Sequence, residues 1–175
     1  MLDIARFVDR RTIIVGDINS GKTRYTLDIL AAFLKAGLDD IAVLDCAPAK
    51  VEGVGGKMSS IDDSDILYAT TDVAAPRLTG RTEDEVYALA RRNAAAIETL
   101  FDDYRRNCRE HLFINDVTLY LHAGSVERLM GVLTMPSSVI MNAYYGSTFD
   151  DSPLTRRERE GVEHLLGWSD NVIRL

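Results

Sequence analysis

Eight residues near the start of the chain, Gly16-Asp-Ile-Asn-Ser-Gly-Lys-Thr23, constrain its fold more than any other segment. They match the pattern GxxxxGK[ST] in full, which chance alone would produce in a chain of 175 residues on the order of once in two hundred. The flanks agree with the motif. Thr12-Ile-Ile-Val15 is a β-branched run that reads as a buried strand ending on Gly16. Residues 22–35 read as a helix with Leu27, Leu30, Ala31 and Leu34 on one face and Gly37 placed to stop it. Strand, glycine loop and helix N-terminus in that order form a phosphate cradle, because backbone N–H groups turn inward and the helix adds partial positive charge. In this pattern Gly16, Asp17, Asn19, Ser20 and Gly21 shape the loop. Lys22 reaches the β and γ phosphates, and the Thr23 hydroxyl ligates Mg2+. The implied ligand is a nucleoside triphosphate with magnesium.

Further along, short apolar runs alternate with helical patterns. Ile41–Leu44, closed by Asp45, reads as a second strand, and Val51–Ser60 (VEGVGGKMSS) as a glycine-bearing loop. Ile66–Thr70 reads as a third strand, Leu112–Asn115 as a fourth and Ser138–Met141 as a fifth, with Asn171–Leu175 as an edge strand. Thr82-Glu-Asp-Glu85 is a capping box opening a helix to about Arg106, with Val86, Ala90, Ala94, Ile97, Phe101 and Tyr104 on its apolar side. Residues 126–133 form another helical pattern, and Thr155-Arg-Arg-Glu158 reads as a second capping box opening a last helix to about Leu166. Such alternation predicts an α/β fold, a three-layer sandwich with a mostly parallel sheet and helices on both faces. With no repeat and no linker, residues 1–175 read as one domain.

Composition narrows the setting. The longest apolar stretches are too short to cross a bilayer, and the first ten residues carry mixed charge where a signal peptide would be apolar. Two cysteines without a CxxC pair suggest neither a disulfide framework nor a zinc site, so a cytoplasmic protein without membrane partners is expected. A formal charge of −7 argues against broad nucleic-acid binding while leaving room for a local basic cleft.

Candidate chemistry gathers where strands end. Asp116 follows the apolar run 112–114 and reads as the magnesium carboxylate. Asp45 should face the same cleft, because ligands of open α/β sheets lie outside the carboxyl ends of the strands. Two such carboxylates suit one metal ligand and one general base. Arg77 and Arg81, in a Pro/Thr/Gly segment, are candidates to neutralise charge on the γ phosphate. His111, His122 and His164 make no metal spacing and read as structural. The polar stretch 142–153 (NAYYGSTFDDSP) reads as a lid or partner surface, and Trp168 as a packing residue.

The series GDINSGKT, VLDCAP, FIND and VIMN resembles the P-loop NTPase superfamily, within it dethiobiotin synthetase, the partitioning ATPases and the polynucleotide 5′-hydroxyl kinases. The kinase resemblance runs from about Thr12 to Asn142 and implies Lys22 and Thr23 on phosphate and metal. It also implies Asp45 as base for an accepting hydroxyl and Arg77 and Arg81 as lid arginines. Where those kinases carry Asp-x-Asp-x-Gly-Gln, this chain has DCAPAK, and where partitioning ATPases carry an extra lysine it has Asp17. Asn142 matches a position at which several of these families hold adenine. No Asn-Lys-x-Asp guanine motif is present, which favours ATP over GTP. Three readings follow: an enzyme that hydrolyses ATP or passes its γ phosphate to an acceptor, a nucleotide-dependent switch for a protein partner, or a nucleotide-binding subunit without catalysis.

Overall fold

The computed structural model describes residues 2–50, 53–58 and 66–175. Six strands form one sheet: β1 (Arg11–Gly16), β2 (Ile41–Asp45), β3 (Leu67–Thr70), β4 (His111–Asn115), β5 (Ser138–Tyr144) and β6 (Asn171–Arg174). Their order is β3-β2-β4-β5-β1-β6, and every pairing is parallel. The four central strands are buried along most or all of their length, as expected of a sheet covered on both faces. The edges β3 and β6 alternate half-buried with exposed residues.

The helices are α1 (Lys22–Lys35), α2 (Pro76–Thr79), α3 (Glu83–Arg106), α4 (Thr118–Leu121), α5 (Val126–Leu133) and α6 (Pro153–Trp168). One face of the sheet (Ile14, Val43, Phe113, Ile140) packs against α1 and the 3-10 turn Ile4–Arg6 with its neighbour Phe7. The other face (Ile13, Leu44, Leu112, Met141) packs against α3, α4, α5 and α6. The expected three-layer α/β sandwich is the observed one, and its sheet is parallel throughout.

Several local expectations change. The buried stripe of α1 is Thr26, Ile29, Leu30 and Phe33, while Ala31 is exposed. Thr82 caps α3 as expected, its hydroxyl accepting from Glu85 N, but the Glu85 carboxylate returns to the Arg81 N–H instead of to Thr82. The second capping box is displaced: Ser152 is the N-cap of α6, accepting from Thr155 N, and Pro153 begins the helix. Glu158, freed from a capping role, turns inward and is 2% exposed. Two short helices, α2 and α4, lie where no helical period was legible, since four residues span barely one turn. Of the glycine loop 51–60, residues 51, 52, 59 and 60 lie outside the described residues.

The strand order also changes the neighbourhood of the glycine loop. The strand carrying Asp116 at its tip is not beside β1, because β5 runs between them. Asn142 lies on β5, the strand beside β1, and β4 reaches the loop through the bond from Thr23 to Asn115.

Replacing Ser152 with Ala removes the α6 cap and should cost about 1 kcal/mol, lowering the unfolding midpoint by roughly 2–4 °C. Calorimetry of S152A beside T155A separates the observed cap from the one the sequence pattern suggested, since T155A leaves the Ser152 acceptor in place.

Candidate functional site

The loop between β1 and α1 is held in shape from both sides. A Cβ on Gly16 would sit 2.4 Å from the Leu175 carbonyl and 2.6 Å from Ser20 Oγ, so only glycine lets the loop close against the last strand. Gly21 caps α1 with φ +92°, and Asn19 is also left-handed at φ 55°. The Asp17 carboxylate accepts from Ile18 N (2.7 Å), Ser147 N (3.1 Å) and Thr148 Oγ1 (2.6 Å), fastening the loop to residues after β5. These bonds hold its pKa below the ordinary carboxylate range.

Lys22 curls back over the loop. Its Nζ donates to Asp17 O (2.5 Å) and Gly16 O (3.1 Å) and lies 3.4 Å from Ser20 Oγ. Withdrawal from water lowers its pKa, and the nearby charges of Asp116 and Asp17 oppose that shift. Each of its partners is a neutral oxygen, so a phosphate oxygen would be a stronger, charge-assisted partner for the same ammonium.

Behind the loop a chain of buried side chains crosses the sheet. Asp45 is 0% exposed, and its carboxylate is fully engaged. Oδ1 accepts from Asn115 Nδ2 (2.8 Å) and Ala47 N (3.3 Å), and Oδ2 from Met58 N (2.5 Å) and Tyr68 OH (2.7 Å). Burial and this acceptor together push the Tyr68 hydroxyl pKa above its ordinary value. Asn115 Oδ1 in turn accepts from Thr23 Oγ1 (3.2 Å) and from Asn142 Nδ2 (3.0 Å). Asn142 Nδ2 also donates to Thr26 Oγ1 (2.9 Å), while its Oδ1 accepts from Asp116 N (2.9 Å).

Asp116 sits beyond this chain with φ 56°, a left-handed conformation that costs a non-glycine residue on the order of 1 kcal/mol. Its Oδ1 accepts from Thr118 Oγ1 at 2.6 Å. Burial pushes its pKa above the ordinary carboxylate range, while the Thr118 bond, His122 and Lys22 pull it back.

All of this borders one cavity of about 340 Å³. Ile18 to Arg24, Asn115, Asp116, Asn142, Pro76, Arg77, Leu119, His122, Tyr144 and Phe149 are among the residues that line it. Gly16, Asp17, Asp45 and Arg81 do not reach it. Asp45 was expected to face the cleft as base or metal ligand, but with four donors on its two oxygens it orients Asn115 instead. Asn142, expected against adenine, spends its amide on Thr26, Asn115 and Asp116. Arg81 is exposed on the surface, whereas Arg77 borders the cavity with its guanidinium paired bidentately to Glu158 (3.0 and 2.6 Å) and stacked 4.0 Å over Phe149. Thr118 and Asn115 carry no role in the sequence reading, and of the two only Asn115 left a signal, as the residue before Asp116 in FIND; His122 reads there as structural and Glu158 as part of a capping box.

The structure is similar to the crystal structure of flagellar accessory protein FlaH from Methanocaldococcus jannaschii, with a TM-score of 0.52 at 10% identity over 96% of this chain and 71% of that one. The shared fold is a three-layer α/β fold with a parallel six-stranded sheet. At such low identity the likeness extends to the fold alone. No protein-family model matches the chain, and no curated protein matches its sequence. No helix among the described residues is long and apolar enough to cross a membrane.

Two substitutions separate the carboxylates. Asp45→Ala should lower stability by about 3 kcal/mol, since it strands three buried donors, Asn115 Nδ2, Ala47 N and Met58 N, and denaturant unfolding reads this directly. Asp116→Asn should raise the unfolding midpoint of the ligand-free protein at neutral pH. A carboxyl whose folded pKa is raised costs nothing below its unfolded pKa and carries its full penalty above the folded one. The gain of D116N should therefore vanish on acidification to about pH 3.

Proposed function

We propose that this protein binds ATP with Mg2+ at the Gly16–Thr23 loop and acts on the γ phosphate, passing it to a second substrate in the same cavity. The observation that carries this reading is the shared opening of Lys22, Thr23 and Asp116 onto one cavity that Pro76, Leu119, Tyr144 and Phe149 also line. A hydrolase needs room for water alone. Here the lining adds an apolar and aromatic surface suited to an organic acceptor.

The roles follow from the bonds already described. Lys22 exchanges its neutral backbone partners for phosphate oxygens and supplies the positive charge of the cradle. Thr23 donates its hydroxyl proton to Asn115 Oδ1, which leaves its oxygen lone pairs free for a cation. The donor set therefore fits magnesium, with Thr23 as direct ligand and Asp116 as the nearby carboxylate. Magnesium, when bound, neutralises charge on the phosphates. Asp116 is the carboxylate that lines the cavity, and its raised pKa makes it a better proton acceptor than an ordinary aspartate. Thr118 and Asn142 hold it in place, so it takes the general-base role that the sequence suggested for Asp45.

A second reading is favoured by a separate observation. The Asp17 bonds to Ser147 and Thr148 tie the phosphate loop to the segment after β5, so nucleotide occupancy could be relayed to that surface for a protein partner. Hydrogen exchange in residues 145–150 distinguishes the two. A switch requires protection that differs between ADP and a non-hydrolysable ATP analogue.

Titration calorimetry with ATP, GTP and ADP in magnesium should show ATP binding that weakens at least 100-fold in Lys22→Ala. Asp116→Asn should keep binding within a few-fold and lose 10²–10⁴ in turnover, the range typical of a removed general base. Unchanged ATP affinity in Lys22→Ala would overturn the nucleotide site itself.

A further inference from the structure

Arg77 borders the cavity and is held there in one orientation. Its two terminal nitrogens donate to the Glu158 carboxylate at 3.0 and 2.6 Å, and Nη1 also lies 3.5 Å from Thr155 Oγ1. Glu158 is fixed in turn by His122, whose Nε2 stands 2.5 Å from Oε2. Two carboxylate oxygens on two nitrogens define a plane, so the guanidinium cannot turn while the pair persists. Glu158 engages it along its edge only.

The two faces of that plane differ. The guanidinium carbon sits 4.0 Å over the Phe149 ring and 5.4 Å from the Tyr144 centroid. Those rings meet edge to face with their centroids 5.2 Å apart. Rings that sandwich a cation are separated by nearly the sum of their distances from it. Phe149 and Tyr144 are much closer together than that, so both stand on one side of the guanidinium. Among the described residues no aromatic ring covers the other side. The Arg77 side chain is 15% exposed, so part of it stays open to a ligand. What the guanidinium has left to offer the cavity is its second face and the Nε edge, in a lining that includes Pro76, Leu78 and Leu119. A flat cation among apolar side chains attracts the negative face of an aromatic ring, and loss of water strengthens the attraction.

We infer that the second face of Arg77 is a stacking platform for a planar, electron-rich aromatic ring carried by the second substrate. Glu158 and Phe149 are positioning residues, one holding the plane from its edge and the other supporting it from behind. The subsite discriminates against saturated rings, which lack a negative face, and against cationic rings, which the guanidinium repels. The ring's place in a phosphoryl acceptor rests on the nucleotide reading above, but its binding to Arg77 does not.

The test uses the full chain without nucleotide, labelled with 15N at arginine. Tryptophol and 2-phenylethanol are the probes, beside 2-cyclohexylethanol as the saturated counterpart and N-(2-hydroxyethyl)pyridinium as the cationic one. The Arg77 Nε resonance, assigned by its absence in Arg77→Lys, should move with both aromatic alcohols and stay in place with the other two. Arg77→Lys, which keeps the charge without the plane, should weaken tryptophol by about fivefold or more. Phe149→Leu, which leaves the Arg77–Glu158 pair in place, should weaken it by about twofold or more. If neither aromatic alcohol moves the resonance, if 2-cyclohexylethanol binds as tightly, or if both variants hold tryptophol as the parent does, the platform is wrong. Tighter binding of indole-3-acetate and cyclohexaneacetate alike would overturn it in favour of an anion site. ATP calorimetry on both variants should stay within a few-fold of the parent, and a larger loss would assign Arg77 to the nucleotide instead. Unchanged ATP affinity in Lys22→Ala would overturn the nucleotide reading while leaving tryptophol binding intact, so the two fail separately.

Discussion

The carboxylate of Asp45 sets the direction of the amide hydrogen bonds behind the loop between β1 and α1. A carboxylate accepts only, so it compels Asn115 to present its NH2 and thereby turns the Asn115 carbonyl toward Thr23 and Asn142. Asn142 must then offer its own NH2 to Asn115 and Thr26, which leaves its carbonyl for the Asp116 N–H. One buried charge thus fixes two amide orientations and the backbone of a third residue across β2, β4 and β5. Because each member is satisfied, the network is rigid, and its polarity cannot reverse at one point without leaving donors facing donors.

This chain of bonds bears on the chemistry proposed for the site. Thr23 is oriented by Asn115, so its oxygen faces the cavity with lone pairs available. Asp116 is held in a left-handed conformation by Asn142 behind it and Thr118 beside it, with its carboxyl partly withdrawn from water. Two consecutive residues at the end of β4 therefore divide the work. Asn115 serves the loop as a neutral hinge of hydrogen bonds, and Asp116 provides charge at the cavity.

A second buried network borders the same cavity. Arg77, Glu158 and His122 come from α2, α6 and the residue after α4, so they meet only when the layer opposite α1 has packed. A buried ion pair of this kind is weak support for stability, because desolvation offsets much of the attraction. Its value lies in placing a histidine ring and an arginine–aromatic stack at fixed positions along the cavity.

The sequence by itself determined the glycine-bearing turn at 16–23, the strand and helix on either side of it, and the three-layer plan with a parallel sheet. These rest on local spacing and on periodic burial, which a linear reading can follow. Strand order was not legible, since the alternation of elements is the same whether β5 or β4 lies beside β1. That choice moved Asn142 to the centre of the network and removed Asp45 from the cleft. The cap of α6 was misplaced because Thr155–Glu158 and Ser152–Thr155 both satisfy local capping rules, and only the burial of Glu158 against Arg77 and His122 decides between them. Those two partners lie 81 and 36 residues from Glu158 along the chain. Side chains so far apart share no local signal. Their meeting is a consequence of packing, and this network beside the cavity is therefore a property of the tertiary structure alone.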